Sequence, residues 1–145
     1  MDGKINDLSQ VASVKRYTVT EGKQKGLDVI ECDNGKIRFL LNVSHALDIM
    51  QLFHEGQNMS FVSKNGFAVS GEEYEQRFEG GMVYTCGLEN IGRREGFKMH
   101  GGFHNICATV LRMECNEKEI VVEAEIKDSA MFGKNLVIKR TIRSE

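Results

Sequence analysis

Between Thr85 and Asn105 the chain reads Thr-Cys-Gly-Leu-Glu-Asn-Ile-Gly-Arg-Arg, then a short spacer, then Met-His-Gly-Gly-Phe-His-Asn. The stretch holds His100 and His104, Arg93 and Arg94, Glu89 and Glu95, Asn90 and Asn105, and five glycines. Polar side chains on a glycine-rich connection suit a concave site, because glycine lets the backbone approach a ligand while the loop carries the specific groups. Guanidinium, amide, carboxylate and imidazole groups supply the donors and acceptors that sugar hydroxyls need. The same residues also suit an ordinary solvated loop with capping asparagines and a surface ion pair. The density of chemical types, rather than any spacing rule, favours a site.

Other chemistries find less support. His100 and His104 have the spacing of two metal ligands on one helix face, but Gly101-Gly102 opposes that helix and no third ligand stands nearby, so no metal is expected. No cofactor is expected either, since a G-x-G-x-x-G loop, a P-loop and a G-x-S-x-G elbow are all missing. His45 and His54 sit on an apolar-rich segment and read as packing or surface residues. Cysteines 32, 86, 107 and 115 form no C-x-x-C pair and lie in or beside apolar segments, which predicts buried thiols. Cys107 follows His104 closely, which alone is weak ground for a nucleophile.

The elements that must position this loop are strands. Ile120, Val122, Ala124 and Ile126 alternate with Glu123, Glu125 and Lys127, and after a break at 128–135 Leu136, Ile138 and Ile142 alternate with Lys139, Thr141 and Arg143. Arg140 falls on the apolar side as an exception. Asn105 to Cys115 favours a third strand by its composition. In the first half Arg16 to Thr20, Leu27 to Cys32 and Lys36 to Val43 form an antiparallel meander, with Asn34-Gly35 as a tight turn. Ala46, Ile49, Met50 and Phe53 have helical spacing by pattern alone. The acidic stretch Gly71 to Glu79 reads as a solvated loop or short helix.

At 145 residues and 41% hydrophobic content the chain reads as one domain, 1–145, with one core. Nineteen basic against 21 acidic side chains give a net charge of −2, which gives no reason to expect nucleic acid. No apolar run reaches the ~20 residues of a membrane span, and Met1 to Ser13 reads as polar rather than as a charged start followed by an apolar stretch. A cytoplasmic protein is expected.

Several ordered blocks carry a resemblance. Asp7-Leu8-Ser9-Gln10-Val11-Ala12-Ser13, Arg16-Tyr17, Glu21-Gly22-Lys23 and Gly26 resemble the opening of aldose 1-epimerase-like proteins of the galactose mutarotase-like superfamily. The similarity continues through His45-Ala46-Leu47-Asp48-Ile49, where the family usually carries an arginine-glycine pair before its apolar residue, aspartate and isoleucine. It takes in Thr85 to Gly92 and His100-Gly101-Gly102, and ends in Phe132-Gly133-Lys134-Asn135-Leu136. The resemblance implies an all-β antiparallel sandwich of which this chain is the first half, and a strand rather than a helix over Leu47 to Phe53.

In mutarotases a histidine donates a proton to the ring oxygen of an aldose while a glutamate takes one from the anomeric hydroxyl, so the ring opens and recloses on its other face. Carried over, the resemblance makes His100 the proton donor or ring ligand. It makes Glu89, Asn90, Arg93, Arg94 and His104 the sugar contacts, and puts the glutamate base outside this chain. The implied partner is a small-molecule sugar. A homo-oligomer, a complementing second half or a reduced sandwich would then cover the remaining sheet face. The alternative is a non-catalytic carbohydrate-binding or regulatory module with the same groove and no base.

Overall fold

The period-two stretches fold as strands that pair with their sequence neighbours. The computed structural model describes residues 3–69 and 73–145; Met1 and Asp2 of the polar start, and Gly71 and Glu72 of the acidic stretch, lie outside them. Strands β1 (Ser13–Thr18), β2 (Asp28–Asp33), β3 (Ile37–Asn42), β4 (Asp48–His54) and β5 (Gln57–Asn58) form one antiparallel sheet in that order. β6 (Phe61–Val62) pairs with β7 (Gly80–Gly81), and β8 (Thr109–Cys115), β9 (Ile120–Ser129) and β10 (Asn135–Ser144) form a second antiparallel sheet with β9 in the middle. Helix among the described residues is limited to the single turn α1 (Tyr74–Arg77) and 3-10 turns at Leu8–Gln10 and Phe103–Asn105. The class is the all-β one expected.

The Asn34-Gly35 turn joins β2 to β3. Asn34 Oδ1 accepts the backbone N–H groups of Lys36 (2.9 Å) and Ile37 (2.8 Å), and Gly35 takes φ +80° with Val11 O where a Cβ would need to be. Only glycine meets both demands at this position.

The two larger sheets close face to face. Ile30, Cys32, Phe39 and Leu41 meet Ile120, Val122, Ala124 and Ile126 across one core, which also holds Ala46, Leu47 and Phe103. A second, smaller cluster corrects the expectation of one core. Leu27, Val29, Met50 and Phe67 gather on the opposite face of the first sheet, as strand alternation requires for Val29 next to Ile30. Leu136, expected inward, is exposed, and so is Cys107. Cys107 precedes β8, which begins at Thr109, later than the sequence suggests. Cys32 is fully buried, and burial pushes its thiol up to about 12.

The segment with helical spacing is β4, as the resemblance implies. Ala46 and Leu47 take left-handed φ values of 52° and 58°, which breaks any helix before the strand. Leu40 pairs with Gln51 and Leu41 with Ile49, so Met50 is an extra residue in β4. This bulge turns Met50 into the second cluster and leaves Ile49 O to accept the N–H groups of Met82 (2.9 Å) and Val83 (3.0 Å). The chain that carries Glu79, Tyr84 and Thr85 is thereby fixed against β4.

Candidate functional site

The 85–105 loop folds back on itself through its backbone. Gly87 N–H donates to His100 O (2.8 Å), and Phe103 N–H donates to Gly87 O (2.7 Å). A Cβ on Gly101 would lie 2.5 Å from Gly87 O, so this close approach depends on glycine. His100 takes φ 60° at the fold-back. Its Nδ1 accepts the Gly92 N–H (3.1 Å), and its ring lies 4.8 Å from that of Tyr74. Because that acceptor role occupies Nδ1, the proton of the neutral ring sits on Nε2.

The other expected site residues divide into three groups. Asn90 and Arg94 brace the loop: Asn90 Nδ2 donates to Gly92 O (2.7 Å) and Lys98 O (3.1 Å), while Arg94 donates to Glu89 O (3.2 Å) and lies over Phe97. Arg93 lines an open groove of about 480 Å³ with Tyr74, Arg77, Glu95 and Lys98. Glu89 lines a second groove of about 460 Å³, together with Lys98, Gly101, Gly102, Asp128 and Lys134. His104 belongs to neither groove and points inward.

Lys134 binds both carboxylates of the second groove, pairing with Glu89 and, at 2.6 Å, with Asp128. The ammonium holds Glu89 below the usual carboxylate range. Burial works against the charge of Lys134, but Asp128 and Glu89 outweigh it and raise its pKa. Acceptor oxygens and an ammonium thus stand beside the Gly101-Gly102 backbone, an arrangement able to bind neighbouring hydroxyls of a polyol. It is poorly suited to taking a proton, because a carboxylate held ionised by an ion pair is a weakened base.

Behind the loop lies a buried polar cluster. Asp48 is 1% exposed and accepts from Thr85 N–H (2.7 Å), Thr85 Oγ1 (2.5 Å), His104 Nδ1 (2.7 Å) and Arg140 (2.6 Å). Arg140 also donates to Ala46 O (2.7 Å) and Thr85 Oγ1 (3.0 Å), which accounts for a charged residue on the apolar side of β10. Tyr84 stacks on His104 with ring centres 3.9 Å apart, and burial pushes its phenol up to about 12. Glu79 is also buried, which overturns its reading as part of a solvated stretch. Its Oε1 accepts from Asn42 (3.1 Å), and His45 Nδ1 stands 3.2 Å from Oε2.

Burial alone would neutralise these carboxylates. Instead the hydrogen bonds from His104 and Thr85 hold Asp48 low, and the two imidazoles hold Glu79 low. Burial likewise disfavours a charged His104, but Asp48 and Glu79 together raise its pKa. Sequence reading missed Glu79, His45 and Lys134. Their contacts join segments far apart in the chain, and only the misplaced Arg140 signalled the cluster.

No described helix is long and apolar enough to cross a membrane. Comparison with the curated proteins finds no match. The fold is similar to the crystal structure of a proposed aldose 1-epimerase from Klebsiella pneumoniae, with a TM-score of 0.77 and 17% identity over 92% of this chain and 39% of that one. It is also similar to a proposed mutarotase from Salmonella typhimurium, with a TM-score of 0.67 and 16% identity over 96% of this chain and 45% of that one. This chain spans less than half the length of either. At such identities the likeness is one of fold, and the fold is galactose mutarotase-like. Over residues 24–145 the sequence matches the family model described as Domain of unknown function (DUF4432), and the chain therefore belongs to that family.

Proposed function

We propose that the chain supplies the sugar-binding part of an aldose 1-epimerase-like carbohydrate isomerase. The observation that carries this reading is the groove in which Glu89, Asp128, Lys98 and Lys134 line the Gly101-Gly102 backbone; His100 precedes that backbone in sequence without lining the groove, its ring lying against Tyr74. Hydroxyls on adjacent carbons of a pyranose donate to the carboxylates and accept from Lys134. Backbone amides without side chains let the ring lie close. His100, with its ring proton on Nε2, is the donor toward the ring oxygen. Lys134 makes Glu89 a binding group, so the base is a different carboxylate.

Calorimetric titration with a panel of aldoses, paired with exchange NMR of anomer interconversion, tests the reading. Saturable binding is expected for at least one aldose, weakened about tenfold or more by Glu89→Gln through loss of a charge-assisted hydrogen bond. His100→Ala should leave that binding largely intact and remove any acceleration of interconversion. No binding across the panel overturns the proposal. Because the base lies outside this chain, acceleration is read with the remaining part of the isomerase supplied, and binding without acceleration there would favour the non-catalytic module.

A further inference from the structure

We propose that His45, Glu79 and His104 form a binding site for a divalent transition-metal ion of the zinc class. They come from three separated places: the turn before β4, the residue preceding β7, and the 3-10 turn after the glycine pair. Their ligand atoms nevertheless lie within 4.8 Å of one another, all in buried residues. The site is distinct from the Glu89 groove and does not depend on the carbohydrate reading.

The imidazole of His104 is built as a metal ligand would be. Its Nδ1–H donates to Asp48 Oδ2 at 2.7 Å, and Asp48 is itself locked by Arg140 and Thr85. A carboxylate on the far nitrogen is the arrangement that orients metal-ligating histidines and increases their basicity. It leaves Nε2 facing inward. That atom is buried without a hydrogen-bond partner among the described residues, although the residue is only 4% exposed. Glu79 Oε1 stands 3.4 Å from it, close but not aligned as a hydrogen bond.

The opposite side of Glu79 repeats the pattern. Oε2 lies 3.2 Å from His45 Nδ1, while the Nε2 of that ring lies 3.5 Å from the Val69 carbonyl, an acceptor that favours the ring proton there. The two separations, one to each oxygen of Glu79, are close to the ~3.3 Å between ligand atoms on one tetrahedral ion with ~2.0–2.1 Å bonds, and the wider spread of the set, up to 4.8 Å, closes on binding. Without metal each imidazole needs its own proton to face the carboxylate, whereas one cation serves both. Asn42 Nδ2 lies 3.1 Å from Glu79 Oε1 and 3.3 Å from His45 Nδ1; on binding it keeps the first contact and gives up the second. Two imidazoles and a carboxylate are donors that zinc accepts with a fourth position left open.

The test uses the whole chain stripped with chelator. Zinc titrated calorimetrically should bind with one-to-one stoichiometry, and cobalt(II) should give the visible absorption of a four-coordinate ion. Glu79→Gln and His45→Gln should each weaken binding about 100-fold, while His54→Gln, on an exposed residue of β4, should leave it unchanged. Should those variants fail to fold, imidazole nitrogen NMR on the unsubstituted chain decides: zinc must move the His45 and His104 resonances and leave those of His54 and His100. Absence of stoichiometric binding, equal loss in His54→Gln, or zinc-dependent shifts at His54 or His100 instead overturns the proposal.

Discussion

Asp48 shows how one carboxylate can organise a neighbourhood. It is buried on β4, yet every strong contact it makes is to a donor from another segment: Thr85, His104 and Arg140. Removing it takes the carboxylate from the buried His104 and from the part-exposed Arg140, which keeps Ala46 O and Thr85 Oγ1. Asp48→Ala should therefore lower unfolding stability by about 3 kcal/mol or more, measured by denaturant titration, since an uncompensated buried charge is the costly outcome. Glu89 is the contrasting case at the rim. Lys134 holds its pKa below the ordinary 4.5, so on acidification the unfolded chain takes up the proton first. The contribution is complete above that ordinary value and is lost as pH falls through the lower folded value. Thermal midpoints of the unsubstituted chain and Glu89→Gln should accordingly differ at neutral pH and converge below pH 4.5. At this scale the sequence made the polar loop legible, and Arg140 stood out as misplaced. The inward turn of His104 and the burial of Glu79 were not legible, because each depends on partners more than thirty residues away.

Among the elements, the segments with strict alternation were readable because one face of each meets a core. β3 and β9 follow from Phe39 and Leu41, and from Val122, Ala124 and Ile126. β4 was readable only through family resemblance. Its helical spacing arises because the bulge at Met50 shifts the strand's register by one residue, sending Met50 and Ile49 to different surroundings. The loop between β7 and β8 owes its shape to backbone contact rather than side-chain pattern. Gly101→Ala should cost at least about 2 kcal/mol, because the new Cβ meets Gly87 backbone and φ is +78°. Gly102→Ala, with open space and an ordinary φ of −111°, should stay within about 0.5 kcal/mol. Equal effects of the two substitutions in denaturant unfolding would mean that the Gly87 fold-back does not define the loop.

For the molecule as a whole, a sandwich of five- and three-stranded sheets presents one glycine-rich connection beside an open groove, with a charge-balanced polar cluster beneath it. The fold class was legible from alternation and turn residues. The second small cluster beneath Phe67 was not, since that residue stands in an irregular segment without periodicity. The arrangement separates two sets of polar groups in space: the half-buried Glu89 and Lys134 stand at the groove, and His45, Glu79 and His104 lie buried in the interior. Chemical-shift mapping of the isotope-labelled chain during addition of a binding aldose tests the rim most directly. Saturable shifts of the Gly101 and Gly102 amides together with the Lys134 side chain are expected. Shifts confined to the exposed Leu136 and Val137 of β10, or no saturable shift with any aldose, would contradict that expectation.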